Sequence, residues 1–316
     1  GMHATIIRTT VANTHGIAIY QPRVRIGRKN KGFTVGGADS AGFGAIFSTN
    51  ISPERIRVEG NRAILSYWGI YIGGSKAQAR NNIAEFNSAI GIGCENCDGG
   101  LLRDNLSRDN GGDGFEIAHS ENLAFMRNVS AYNNGAGAFF DLTSDNARLR
   151  NNVSEFNDDN GFTLLDANGS NSQGNIALLN HAYGFDFDQV DAAKAPVINH
   201  NLAVFNDDEG FFLDDLIGAN VSNNTAVSNA GGFVLTPTST VQTFRRNNSY
   251  ASTTGCGIEN NSGSPLRPDG HYYGDSSGMD PVINLDDHDA TCGADLVGDD
   301  FRPGPNSTRT RTAQKL

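Results

Sequence analysis

The chain has 316 residues, and its 24 Lys plus Arg against 35 Asp plus Glu leave a formal charge of −11. That acidity excludes a general electrostatic grip on a nucleic-acid backbone, and no run approaches the ~18 apolar residues of a membrane-spanning helix. Glycine numbers 38, well above its ordinary share of about 7%, and asparagine is almost as frequent, an excess that points to a repeat.

In chain order, Gly1-Met2-His3 reads as a tag remnant, and no apolar h-region follows it. Gly16-Ile17-Ala18-Ile19, Val24-Arg25-Ile26, Gly32-Phe33-Thr34-Val35 and Ile56-Arg57-Val58 read as short strands. From residue 82 a phrase of Asn, apolar, small recurs. It runs Asn82-Ile83-Ala84, Asn105-Leu106-Ser107, Asn128-Val129-Ser130, Asn152-Val153-Ser154, Asn175-Ile176-Ala177 and Asn201-Leu202-Ala203, fading at Asn224 and Asn248. The steps are 23, 23, 24, 23, 26, 23 and 24 residues. A glycine follows nine residues after nearly every one of these asparagines, and a second Asn column runs through Asn87, Asn110, Asn133, Asn157, Asn180, Asn206 and Asn229.

A step near 23 is too short for helical repeats, and the leucine ladder of a leucine-rich repeat is absent. Segments such as Gly114-Phe115-Glu116-Ile117 and Gly184-Phe185-Asp186-Phe187 alternate with period two, as strands do. The pattern predicts an all-β, single-stranded right-handed parallel β-helix over residues 1–262, with three short strands per coil and coils stacked at about 4.8 Å. Phe115, Phe162, Phe185, Phe211 and Phe233 should form one aromatic core column, and Phe86, Tyr132, Phe156 and Phe205 a second. The Asn82-type column should face inward as a ladder of stacked amides. Cys94-x-x-Cys97 reads as a turn pair, a redox pair or half a metal site, and Cys256 and Cys292 as an optional bridge. From 263 to 316 the period stops, and an aperiodic tail carrying His271-Tyr272-Tyr273 and Asp286-Asp287-His288-Asp289 is expected to pack on the helix or cap it.

These repeats resemble the right-handed parallel β-helix, pectin-lyase-like superfamily over roughly residues 16–262. The phrasing of Asn110-Gly111-Gly112-Asp113-Gly114-Phe115-Glu116 and Arg246-Asn247-Asn248-Ser249-Tyr250 is most similar to family 9 polysaccharide lyases. That resemblance implies calcium-assisted β-elimination on an acidic polysaccharide. The chain departs from the family where Gly112 replaces an acid, and no Gly-Phe pair is followed by the family's catalytic lysine.

On such a fold, chemistry sits on the outward face of one sheet. The outward positions after each glycine are Tyr71, Gly93, Glu116, Phe139, Thr163, Asp186, Phe212, Val234 and Glu259. Asp141, Asp188, Asp191, Asp214 and Asp215 follow just beyond. The one enlarged step, of 26 residues, lies beside them and carries Lys194. The expected site has Asp186, Lys194 and Glu116 as catalytic groups, with Tyr71, Phe139 and Phe212 as sugar platforms. Asp186, Asp188 and Asp214 would serve as Ca²⁺ ligands. The expected partner is a polysaccharide, an acidic glycan first, met outside the cytoplasm or in the periplasm. The competing expectation is a non-catalytic β-helix that binds glycans or serves as a surface-structural module.

Overall fold

The computed structural model describes residues 57–262 except 66, 142, 166–167, 189–193, 251 and 254–256, together with short strands before 57 and Leu266. The tail, the Cys256–Cys292 bridge, both tail clusters and Asp191 therefore lie outside the described residues. Two compact units divide the chain, Gly1–Asp159 and Asn160–Leu316. Each is built alike, from short strands in three sheets with no helix among the described residues.

Within each unit the strands pair, in parallel, with the strand three places along the chain. In the first unit Ile83–Glu85 pairs with Leu106–Arg108, Ile92–Glu95 with Phe115–Ala118, and Leu101–Arg103 with Ala124–Met126. Three strands therefore make one turn of a β-solenoid. Parallel crossovers of this kind wind right-handed. The register Ile83↔Leu106 equals the 23-residue step of the sequence.

Alternation places one face of each strand inside. Phe115 is fully buried in the first unit. In the second, Phe162, Phe185, Phe211 and Phe233 stack face to face, with centroids 5.0, 4.9 and 4.6 Å apart and planes within 8°. Burying such a side chain contributes about 1.5–3 kcal/mol.

The Asn ladders are as expected and carry the corners. Asn105 Nδ2 donates to Asn128 Oδ1 at 2.9 Å and to the Ala79 carbonyl at 3.0 Å, while Asn105 Oδ1 accepts from Asn82 N and Nδ2. The same pattern links Asn110 to Asn133 in the first unit, and Asn201 to Asn224 and Asn206 to Asn229 in the second. Each ladder Asn thus satisfies the buried polar groups that a sharp corner would otherwise leave open.

The second aromatic column corrects the sequence reading. Phe86, Tyr132, Phe156 and Phe205 are 51, 53, 36 and 52% exposed. Their φ values lie between 54 and 57°. Each immediately precedes a ladder Asn. The left-handed backbone that turns the chain sits on these residues, and the turn points the aromatic outward while the Asn points in. Tyr132 and Phe156 still stack, at 4.9 Å, but on the outer surface.

The glycine column has a steric cause. A Cβ on Gly184 would stand 2.8 Å from both Ala203 Cβ and Asn206 Nδ2 of the next coil, so the ladder amide occupies the space a side chain would need. Cys94 and Cys97 are bonded to each other and buried, which removes the metal reading of that pair.

Candidate functional site

The sheet that holds Ile92–Glu95 and Phe115–Ala118 presents the outward column that the alternation predicts. Tyr71, Gly93, Glu116 and Phe139 are successive register partners in the first unit. Thr163, Asp186, Phe212, Val234 and Glu259 are successive partners in the second. Thr163 and Val234 are buried, so Asp186 and Phe212 form the open centre of the second unit's column.

A further outward column was missed by reading only the residues after each glycine. The residue just before the glycine also reaches this surface: Trp68 and Asp113 in the first unit, Tyr183 and Glu209 in the second, while Asn160 at the same position is buried. Strict period-two alternation would place this position inward, two residues before a buried Phe, so the pattern alone could not find it.

In the second unit Tyr183 stacks on Phe212 with centroids 4.7 Å apart and planes 8° apart. The Tyr183 N–H donates to Asn160 Oδ1 at 2.9 Å. Asn160 Nδ2 in turn donates to Thr163 Oγ1 at 2.9 Å and to Asp186 Oδ2 at 3.2 Å. One amide thus aligns the aromatic pair and the carboxylate. Burial, followed by the charges of Glu209, Asp208, Asp186 and Asp214, pushes the Tyr183 phenol up. Burial likewise pushes Glu209 up, with Asp208 and Glu259 adding repulsion.

Beside the pair, Asp188 and Asp214 are register partners. A carboxylate oxygen of each, with one of Asp215, falls within 4.8 Å of the others. The Asp215 N–H donates to Asp214 Oδ1 at 3.0 Å, and Asp215 takes a φ of 47°. The grouping thus holds two of the three expected metal ligands, Asp188 and Asp214. Asp215 joins them, while Asp186 is engaged by Asn160. Three carboxylates are a hard oxygen donor set of the kind that suits Ca²⁺.

Lys194 lies in the turn between Phe185–Asp188 and Val197–Asn199, where its carbonyl accepts the Gly169 N–H at 2.6 Å. Glu116 belongs to the first unit and has its own surroundings. Burial, with Asp113, Asp141 and Glu95 adding repulsion, holds its carboxyl above the ordinary range. Tyr71 donates its hydroxyl to Glu95 and stacks against Trp68 at 5.0 Å. Phe139 follows Glu116 in register, half-buried.

The profile described as "Right handed beta helix region" matches residues 1–175, more than half of the chain. The chain belongs to the right-handed β-helix family. A second profile, the periplasmic copper-binding protein (NosD), matches residues 138–265. No curated protein sequence matches. Among solved structures, the pectate lyase Pel9A is similar at 16% identity and a TM-score of 0.56, over 96% of this chain and 90% of that one. The Azotobacter vinelandii mannuronan C-5 epimerase AlgE4 A-module gives 11% and 0.52, over 95 and 87%. The catalytic domain of a GH87 alpha-1,3-glucanase in complex with nigerose gives 11% and 0.57, over 95 and 64%. The chain spans 60% of the length of the periplasmic alginate epimerase AlgG, at a TM-score of 0.48. At such identities the likeness is one of fold.

Proposed function

We propose that this β-helix binds and cleaves an acidic polysaccharide on the outward face of its second unit, by β-elimination assisted by Ca²⁺. The observation that carries the reading is the carboxylate triad of Asp188, Asp214 and Asp215 beside the stacked Tyr183–Phe212 pair. Aromatic side chains take up sugar rings by their apolar faces. An acidic surface meets an anionic polymer only through a bridging cation. The triad would hold it, and a cation held there would neutralise a uronate carboxylate and acidify its α-proton.

The chain's own groups supply the rest. Tyr183 and Phe212 fix the sugar ring. Asp186, oriented by Asn160 and in register with Phe212, accepts the C5 proton. The electron pair released forms the C4–C5 double bond as the C4–O bond breaks, and the leaving oxygen takes a proton from solvent. Lys194 is the second candidate for the base. The polysaccharide lyase and epimerase named above share this fold, which supports the reading. The Cys94–Cys97 disulfide supports a location outside the cytoplasm or in the periplasm, where disulfides persist.

The test is incubation with polygalacturonate and alginate, with Ca²⁺ and with chelator, followed by ultraviolet absorbance of the unsaturated product. A calcium-dependent rise, lost in Asp186→Ala and kept in Lys194→Ala, supports elimination with Asp186 as base. Retention in Asp186→Ala and loss in Lys194→Ala moves the base to Lys194. Binding without product leaves a glycan-binding module, the reading that the aromatic residues on both units favour.

A further inference from the structure

The first unit carries aromatic and acidic groups that the cation-assisted reading leaves unused. Trp68 stacks on Tyr71 with planes 20° apart, and Tyr67 adjoins Trp68 at 5.7 Å. Tyr71 leans over Gly93, where a Cβ would stand 2.5 Å from Tyr71 Cδ2. The missing side chain therefore lets the ring lie against the sheet. The hydroxyl hydrogen bond to Glu95 locks it there. Trp68 is thus backed by a ring fixed at both its face and its tip. Such a rigid, half-exposed aromatic surface costs little ordering on binding.

The charged groups that act on Tyr71 and Glu116 are carboxyls. Glu116 is the register partner of Gly93 on the far side of that ring. Glu95, Asp113 and Asp141 lie within electrostatic reach of Glu116. Asp113 is anchored by the Ala136 N–H at 2.8 Å. Among the described residues, the one group of three acids close enough to share a cation is that of the second unit. A uronate here would meet carboxyls with no such trio to hold a bridging cation. A neutral sugar would meet acceptors for its hydroxyl groups and an aromatic face for its C–H face.

We infer that Trp68, Tyr71, Glu95 and Glu116 form a second carbohydrate site that takes an uncharged sugar ring without any cation. Glu116 offers its carboxyl oxygens to the sugar hydroxyls from the coil beyond Gly93. The inference does not need the second unit to be catalytic or to bind calcium.

Trp68 is the only tryptophan in the chain, so selectively excited tryptophan emission reports this site alone. The full-length protein is titrated with cellohexaose, laminarihexaose and maltohexaose, each with Ca²⁺ and with chelator. Trisaccharides of galacturonate and mannuronate serve as the charged comparison. The expected result is a saturable change in emission with at least one neutral oligosaccharide, unaltered by chelator. Half-saturation should shift about tenfold upward in Glu116→Gln, which replaces one of the acceptor oxygens facing the sugar by an amide N–H₂. Gly93→Ala, which displaces the Tyr71 ring, is expected to weaken binding as well. Circular dichroism confirms that each variant is folded, and Glu95→Gln gives a second reading should Gly93→Ala misfold. No emission change with any neutral probe in folded protein overturns the inference, as does a response that requires Ca²⁺. A failure of the elimination assay leaves it untouched.

Discussion

Tyr183 lies flat on Phe212 across one coil step, centroids 4.7 Å apart, while its own N–H is held by Asn160. The residue before one glycine and the second residue after the next are thereby joined into one surface. Removing either ring should weaken oligosaccharide binding without unfolding the unit, because both are outward. Tyr183→Ala is expected to lower affinity for an oligogalacturonate about tenfold in calorimetry, with a melting temperature within a few degrees of the parent. Unchanged affinity would remove the pair from the binding surface.

The ladders make a sharper prediction for stability. Asn105→Ala removes the acceptor of Asn82 N and Nδ2 and the donor to the Ala79 carbonyl, all of them buried. Leaving such groups unsatisfied costs about 1–3 kcal/mol each, so the loss should reach at least about 3 kcal/mol by chemical denaturation. A loss below about 1 kcal/mol would mean that water replaces the amide.

The two aromatic columns should behave oppositely. Phe211→Ala empties a fully buried position between two stacked rings and should cost about 3–5 kcal/mol. Phe86→Ala, at a residue 51% exposed, should stay within about 0.5 kcal/mol. Equal costs would place Phe86 inside.

Sequence periodicity carried the fold a long way, and its limits are physical. The 23-residue step appears unchanged in the register Ile83↔Leu106, and the glycine-phenylalanine alternation in the buried stack of Phe185 and Phe211. What periodicity could not assign was the side of a corner. Phe86 and Phe115 recur with the same period, but the left-handed φ of Phe86 turns it outward. Hydrophobicity alone carries no record of that dihedral. The candidate site was partly legible: Asp188 and Asp214 emerged from acid content and spacing. Asp215 was among those acids but not expected as a ligand, and Tyr183 was missed because it stands before the glycine rather than after it. The Cys94–Cys97 bond needed coordinates, since the spacing alone allowed several outcomes.

Two glutamates should respond to pH with opposite sign. Burial and the charges of Asp113, Asp141 and Glu95 raise Glu116. The folded state therefore binds its proton more tightly than the unfolded chain. The stability linked to that proton is full below the ordinary value of 4.5 and is lost as pH rises through the folded value. Glu116→Gln should then raise the melting temperature at neutral pH, and the gain should vanish below pH 4.5. For Glu85, burial pushes upward, but hydrogen bonds from Arg108 and Arg62 and their charges together outweigh it and hold the carboxyl low. Glu85→Gln should lower the melting temperature at neutral pH, and the difference should shrink as acid protonates Glu85 in the parent. A melting series of the two variants across pH 3–8 checks both signs.

The most direct test of the central claim is the calorimetric affinity for an oligogalacturonate with Ca²⁺ and with chelator, in the parent and in Asp214→Asn. The account predicts calcium-dependent binding in the parent, weakened about tenfold or more by the loss of one triad carboxylate. Equal binding in chelator, or no binding at any calcium concentration, would contradict it.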